Sequence, residues 1–225
     1  MPATRPPPKP ATFNADLANL PVALRSRTEE RRWVCWKWTW KVHQWTKPPF
    51  QASDPSLFAK SNHPETWGDY SAAIASVAAG KADGIGYMLP GSDLGAVDLD
   101  HCRDPNSGNI DAWAQTEIDA ANSYVEITAS GTGLRILGIG SGAELHRKFK
   151  VPDAMNGAAI EVYRATNRYI TITGAEISAG AELIDIDAAL DNIVERYTAA
   201  QHLDRRRNRH KYVDRRQVAH LQRRY

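Results

Sequence analysis

The chain has 225 residues, of which 42% are hydrophobic, so it is long enough to form one sizeable domain around a buried core. No segment reaches the roughly 18 consecutive apolar residues of a membrane span, and the N-terminal MPATRPPPKPAT lacks the apolar stretch of a secretory signal, so we expect no membrane partner and a cytoplasmic location. The two cysteines, Cys35 and Cys102, form neither a CxxC pair nor a compact Cys/His set, which argues against a disulfide framework or a structural zinc site.

The net charge of +2 conceals an uneven distribution of charge along the chain. Residues 201–225 carry nine Lys or Arg against two Asp, so the remainder is mildly acidic. A basic tail of this kind is typical of nucleic-acid contact, because each neutralised phosphate releases counterions. A solvated helix or a linker to another domain explains the charge equally well. We therefore expect a disordered Pro-rich arm at 1–12, one domain at 13–200, and a basic tail or linker at 201–225.

Hydrophobic periodicity predicts a mixture of strands and helices. In RRWVCWKWTWKV, Trp36, Trp38 and Trp40 recur at every second residue, which indicates a strand with one aromatic face. In chain order the pattern then predicts a helix at 66–80, a hairpin of 83–89 with 94–100, a helix at 109–121, hairpins of 124–128 with 134–139 and of 159–163 with 168–173, and a helix at 187–200. The expected fold class is α+β, a mainly antiparallel sheet of hairpins with helices on one side.

Three carboxylates stand out because of their place in this alternation. Side chains two apart on a strand share a face, so Asp98 and Asp100 of AVDLD project together, opposite the apolar Val97 and Leu99. The same phase turns Glu161 of AIEVY outward. Carboxylate oxygens suit Mg²⁺ or Mn²⁺, which take their remaining ligands from water and substrate phosphates. The alternative is that Asp pairs at strand ends simply face water. As an exposed carboxylate, Asp98 should add little to stability.

The segment TASGTGLRI is a second candidate for phosphate chemistry. Its turn residues, Ser130, Gly131, Thr132 and Gly133, let backbone N–H groups point into a concavity that can hold phosphate oxygens. Arg135 follows two residues after the turn and can add a bidentate guanidinium contact. The alternative is a plain hairpin turn, in which Ser and Gly merely satisfy turn geometry.

The order of the motifs resembles the archaeo-eukaryotic primase superfamily, in particular the primase-polymerase domains of phages, prophages and plasmids. The resemblance rests on WVCWKW followed by KPPF, AKSNHPETWGDYSAA, DGIGYML, AVDLDHC, EITASGTGLRI and IEVYRATNRYITITG, and it covers about residues 32–174. It implies an RRM-like catalytic core. It further implies that Asp98, Asp100 and Glu161 hold two catalytic metal ions, Mg²⁺ or Mn²⁺, and that Ser130 to Arg135 bind the incoming nucleoside triphosphate.

One position departs from the family pattern. The family's second motif most often ends in a His that contacts the triphosphate, and here that position is Arg135. Arginine can still clamp a phosphate, but it cannot exchange a proton near neutral pH. His101 and His146 are candidates for such a role, although a lone His is more often structural or exposed.

The remaining site candidates also come from the resemblance. In RATNRYITITG, Arg168 is expected to contact phosphate, and Tyr163 or Tyr169 to pack on the sugar or base of the nucleotide; the alternative is that they cover a sheet edge. Lys47 and Lys60 are expected to contact DNA phosphates, with solvated lysines as the alternative.

The expected function is template-dependent nucleotidyl transfer by two-metal catalysis, that is, DNA primase or DNA polymerase activity in the replication of a phage, prophage or plasmid. The expected partners are a single-stranded DNA template, nucleoside triphosphates and a replicative helicase, and the Trp-rich strand offers stacking surfaces for bases. Two alternatives stay open: a non-catalytic replication module that binds nucleic acid or nucleotide, and a metal-dependent nuclease.

Overall fold

The structure is a computed structural model that describes residues 6–152, 154 and 157–203. The first five residues of the predicted arm and residues 204–225 of the predicted basic tail lie outside the described part. Residues 6–12 form neither helix nor strand, and Lys9 Nζ donates a 2.8 Å hydrogen bond to Asp83 Oδ1. Among the helices of the described residues, none is long and apolar enough to cross a membrane.

Strands outnumber helices in the described residues. The strands are β1 Trp33–Trp36, β2 Thr39–Lys41, β3 Gln44–Thr46, β4 Pro49–Gln51, β5 Gly84–Met88, β6 Leu94–Asp100, β7 Tyr124–Ile127, β8 Leu134–Ile139, β9 Leu145–Lys150, β10 Ala159–Arg164 and β11 Tyr169–Ile172. The helices are α1 Val22–Arg25, α2 Tyr70–Ala78, α3 Ala112–Ala121 and α4 at residues 187–203, with 3₁₀ turns at Ser26–Glu29 and Pro64–Thr66.

The strands form two sheets and a ribbon, and all the paired strands are antiparallel. The strand orders are β11-β5-β1-β4 in the four-stranded sheet, β7-β8-β6-β10-β9 in the five-stranded sheet, and β2-β3 in the ribbon. Antiparallel sheets with helices packed on them confirm the α+β class.

The pairing of neighbouring strands was predicted correctly in one case of three. β7 and β8 form the expected hairpin. The other two predicted hairpins are wrong, because β5 and β11 belong to the four-stranded sheet while β6 and β10 belong to the five-stranded sheet. The chain therefore crosses between sheets at both places. The local pattern reports which residues are buried, and it carries no information about which strand covers them.

The Trp-rich segment is also divided. β1 ends at Trp36, and Trp40 lies in β2, where it pairs with Trp45 of β3 in the ribbon. The two indole rings meet edge to face with their centroids 5.5 Å apart. The prediction of a single aromatic strand is therefore wrong. Trp36 belongs to the four-stranded sheet and Trp40 belongs to the ribbon.

The two faces of the five-stranded sheet differ in what covers them. On one face, Val97, Leu99 and Ile160 are fully buried and pack with residues of α3 and α4 in one core. On the other face, Ala96 and Leu137 join a second core together with the four-stranded sheet. This second face also carries the polar residues of β6, β8 and β10, so the predicted site lies beside the junction of the two sheets.

Candidate active site

Charged side chains form a row across all five strands of the five-stranded sheet. Pairing in the sheet places Glu126 of β7 opposite Arg135 of β8, Arg135 opposite Asp98 of β6, Asp98 opposite Glu161 of β10, and Glu161 opposite Lys148 of β9. Residues directly opposite on neighbouring strands have Cβ atoms about 5 Å apart. The alternation read from the sequence therefore places Asp98, Arg135 and Glu161 on one face, as predicted, and the tertiary structure brings them side by side.

Arg135 is the buried cation of this row. Its Nε donates to Asp98 Oδ1 at 2.6 Å, and its Nη1 donates to the backbone oxygen and, at 2.8 Å, to the hydroxyl of Thr171. The same Nη1 lies 3.9 Å from Glu126 Oε1. Burial lowers the pKa of Arg135, but Asp98 and Glu126 raise it by more, so the guanidinium stays charged. Arg135 thus fixes Asp98 and ties β8 to β11 of the other sheet.

Asp98 is less exposed than a carboxylate on a free sheet surface. Only 14% of its side chain is exposed, and it neutralises the buried Arg135. The premise that Asp98 is an exposed carboxylate is therefore wrong, and we expect its removal to lower the unfolding free energy. By contrast, 40% of the Asp100 side chain is exposed, which makes Asp100 the better position for a substitution that tests chemistry alone.

Lys148 stands between two of the predicted metal ligands. Its Nζ lies 3.0 Å from Asp100 Oδ2 and 2.8 Å from Glu161 Oε2. Burial lowers the pKa of Lys148, but the two carboxylates raise it by more. Neither Lys148 nor strand β9 was among the features predicted from the sequence. The only sequence signal is the weak alternation in LHRKFK, in which His146, Lys148 and Lys150 share a face.

Among the histidines that the structure describes, His146 contacts this row. Its Nε2 lies 2.8 Å from Glu161 Oε1, and its ring stacks on Tyr163 with centroids 5.2 Å apart. Tyr163 in turn donates a 3.4 Å hydrogen bond from its hydroxyl to Asp98 Oδ2. Burial raises the pKa of Glu161, but Lys148 and His146 lower it by more, so the net shift is downward. His101, the other candidate, is exposed in a left-handed turn with φ of 56°.

The SGTG turn joins β7 to β8 and lies against β6. Gly131 has φ of 75°, a conformation that favours glycine. A Cβ on Gly133 would lie 2.7 Å from the backbone oxygen of Leu99, so this position has no room for a side chain. The hydroxyls of Ser130 and Thr132 lie 3.0 Å apart. Within the described residues the amides of Ser130, Thr132 and Gly133 donate no hydrogen bond; of these three residues, Ser130 is exposed and Gly133 is buried.

A cavity of about 230 Å³ gathers several of the predicted site residues. Its wall includes Lys47, Asp98, Asp100, Thr128, Ser130, Arg135, Tyr169, Ile170 and Thr171. Arg135 Nη2 makes no hydrogen bond to the described residues, so one arm of the guanidinium remains for a ligand here. The cavity therefore combines carboxylates with cations and with a hydroxyl-bearing turn.

Lys47 reaches this cavity from the loop after the ribbon. Its Nζ lies 4.8 Å from the centroid of the Trp38 ring, and its backbone oxygen accepts a hydrogen bond from the Tyr169 hydroxyl. Burial lowers the pKa of Lys47, and the nearby charge of Arg135 lowers it further. Lys60 and Arg168 are exposed and do not line the cavity.

The three predicted metal ligands are near one another but do not yet form a coordination set. As their side chains stand, no group of three His, Cys, Asp or Glu among the described residues is placed to hold one metal ion. The donor type nevertheless fits Mg²⁺ or Mn²⁺. The ammonium group of Lys148 forms ion pairs with both Asp100 and Glu161, so a positive charge lies between these two carboxylates.

A search of family models finds no match for the chain. A comparison with curated proteins finds similarity to a "DNA Primase-polymerase" of Nitratiruptor phage NrS-1, which is 32% identical over 170 residues. The aligned part is 75% of this chain and 22% of that protein, so the chain corresponds to less than a quarter of its relative's length. The similarity agrees with the family resemblance of the motifs and with the α+β fold. The chain belongs to the phage-type primase-polymerase family.

Proposed function

We propose that the chain catalyses template-dependent nucleotidyl transfer, that is, primase or polymerase chemistry in the replication of a phage, prophage or plasmid. The observation that supports this most directly is the cavity in which Asp98 and Asp100 lie beside Lys47, Arg135 and the SGTG turn. Carboxylates suit divalent metal, and the neighbouring cations suit a triphosphate. The name of the phage relative agrees with this reaction class.

The proposed cofactor is Mg²⁺ or Mn²⁺, held by Asp98, Asp100 and Glu161. When bound, two such ions would neutralise phosphate charge and favour the ionised form of the attacking 3′-hydroxyl. Asp98 is already oriented for this role by Arg135, whose contacts to β11 keep it in place. Glu161 is held from the opposite side by His146 and Lys148.

The chain's own cations and amides would bind and orient the triphosphate. Lys47 is mostly removed from solvent, and this burial disfavours its charged ammonium form. A phosphate anion beside Lys47 would stabilise that charged form. Arg135 can present its remaining Nη2 group, and the amide of Ser130, the turn residue that lines the cavity, can donate to a phosphate oxygen. Arg135 thus both positions Asp98 and contacts substrate. Because its guanidinium stays protonated, Arg135 acts in both roles through hydrogen bonds and charge, and not as a general acid.

Single-stranded DNA and a replicative helicase are the proposed macromolecular partners. Trp38, Trp40 and Trp45 are partly exposed residues in or beside the ribbon, and the Trp38 ring centroid lies 4.8 Å from Lys47 Nζ. Base stacking on aromatic rings next to a positive charge is the usual means of holding a single strand. A helicase would supply such a strand from duplex DNA.

The test compares the parent chain with Asp100→Asn and with Asp119→Asn. Asp119 is an exposed carboxylate on α3, which lies on the opposite face of the five-stranded sheet, so it controls for the loss of one charge. The assay measures incorporation of labelled ribonucleotides and deoxynucleotides on a single-stranded template, with Mn²⁺ or Mg²⁺, with and without a primer.

We expect product with the parent and with Asp119→Asn, and a loss of at least a hundredfold with Asp100→Asn, as is typical when a catalytic group is removed. Extension by Asp100→Asn at the parent's rate would contradict the assignment. Shortening of the strand without triphosphates would favour the nuclease, and nucleotide binding without incorporation would favour the binding module.

A further inference from the structure

Lys148 occupies a place that the proposed function assigns to a metal ion. Its ammonium group lies within 3.0 Å of Asp100 Oδ2 and 2.8 Å of Glu161 Oε2, and thus bridges two strands through their carboxylates. We propose that Lys148 is a resident cation of this site, which holds Asp100 and Glu161 together when metal is absent and is displaced when metal binds. The inference rests on the proposed metal site, and it adds a positioning residue that competes with the metal.

The position of Lys148 makes it suited to leave the site. It lies on β9, the edge strand of the sheet, directly opposite Glu161. Half of its side chain, 52%, is exposed, so the ammonium group can move into water. His146 remains beside Glu161 at 2.8 Å when Lys148 leaves.

The other cation of the row cannot leave in this way. The Arg135 side chain is 7% exposed and is held by Thr171 of the neighbouring sheet as well as by Asp98. Removing it from its partners would leave buried carboxylates unpaired, which is costly. The row therefore contains one fixed cation and one releasable cation, and only the releasable one lies between Asp100 and Glu161.

This arrangement has a consequence for metal affinity. Two carboxylates close together repel each other unless a positive charge lies between them. Lys148 supplies that positive charge when no metal is bound. A metal ion must therefore displace the ammonium group in order to bind. Lys148 thereby raises the metal concentration at which the site fills, and a variant without this ammonium group should bind metal more tightly.

The chain offers a matched control two residues further along. Lys150 lies on the same face of β9, is exposed, and forms no ion pair within the described residues. Lys150→Gln removes the same charge from the same edge of the sheet, but not from between the two carboxylates. Lys148→Arg is the conservative variant, because it keeps a cation that can bridge both carboxylates.

The experiment measures Mn²⁺ binding to the purified full chain by the electron paramagnetic resonance signal of free Mn²⁺. We expect Lys148→Gln to bind Mn²⁺ about three- to tenfold more tightly than the parent, the size expected for the loss of two partly exposed ion pairs. Lys150→Gln should stay within about twofold, and Lys148→Arg should show no gain. Equal or weaker binding by Lys148→Gln would overturn the proposal, as would an equal gain with Lys150→Gln.

A second readout follows thermal unfolding of the same variants. Without metal, Lys148→Gln should unfold at a lower temperature than the parent, because Asp100 and Glu161 lose their shared cation. With saturating Mn²⁺ the difference should close, since the metal replaces Lys148 in both proteins. A difference that Mn²⁺ leaves unchanged would show that Lys148 and the metal do not share a place.

Mn²⁺ binding to the variants separates the role of Lys148 from the existence of the metal site. Mn²⁺ binding that is lost in Asp100→Asn but is unchanged in Lys148→Gln would reject the role of Lys148 alone. Absence of Mn²⁺ binding in both the parent and Lys148→Gln would reject the metal site itself, and the role of Lys148 with it.

Discussion

Glu126 is a fully buried carboxyl at the end of the charged row, and its titration should be visible in the stability of the protein. It has no exposed surface and lies 3.9 Å from Arg135 Nη1. The amides of Thr173 and Gly174 donate to it at 3.0 to 3.3 Å, and the Tyr124 hydroxyl donates at 3.3 Å. Burial raises the pKa of Glu126 from 4.5 to about 7, although Arg135 and the two amides act in the opposite direction.

The direction of the effect follows from the pKa of Glu126 in the two states. Because the pKa is higher in the folded state, the folded protein retains this proton between pH 4.5 and about 7 while the unfolded chain has lost it. Stability from this group is therefore fully present below pH 4.5 and falls as the pH rises to about 7. The shift in pKa corresponds to about 3 kcal/mol of unfolding free energy.

Glu126→Gln removes the titrating group and keeps the shape of the side chain. We expect the unfolding free energy of Glu126→Gln to gain about 3 kcal/mol relative to the parent between pH 4.5 and pH 7.5. Urea unfolding followed by tryptophan fluorescence measures this difference at each pH. Glu182→Gln, at an exposed glutamate, corrects for the change in net charge. A difference between parent and Glu126→Gln that stays constant across this range would refute the reasoning.

Two further predictions concern the cations of the site. Arg135→Met should lower the unfolding free energy by about 3 to 5 kcal/mol, because it leaves Asp98 and Glu126 without their buried partner; an unchanged urea midpoint would contradict this. Lys47→Gln should weaken triphosphate binding, measured by calorimetry, by about tenfold, as expected for the loss of a charged hydrogen bond. Lys60→Gln should have little effect, since Lys60 does not line the cavity, and equal losses in the two variants would count against the cavity as the nucleotide site.

Much of the candidate site could be predicted from the sequence, because alternation along a strand is a local property. Each strand turns successive side chains to opposite faces whatever its neighbours are, so AVDLD placed Asp98 and Asp100 together and AIEVY placed Glu161 outward. The glycines of TASGTGLRI indicated the turn at Ser130 and the basic Arg135 after it, and the family resemblance added their role in triphosphate binding. These residues do lie near one another, and their roles in metal and nucleotide binding remain predictions.

The tertiary structure decided which strands are neighbours, and with it the partners of each charge. Lys148 lies 48 residues from Asp100 in the chain and meets it only because β9 pairs with β10, which pairs with β6. Arg135 meets Thr171 only because β11 belongs to the second sheet. Strand partners are set by the packing of the whole core, which no short segment encodes. The sequence by itself thus determined that Asp98 and Asp100 share a face and that Glu161 points outward, and only the fold brought Lys148 and Glu126 to them and decided how the charges are balanced.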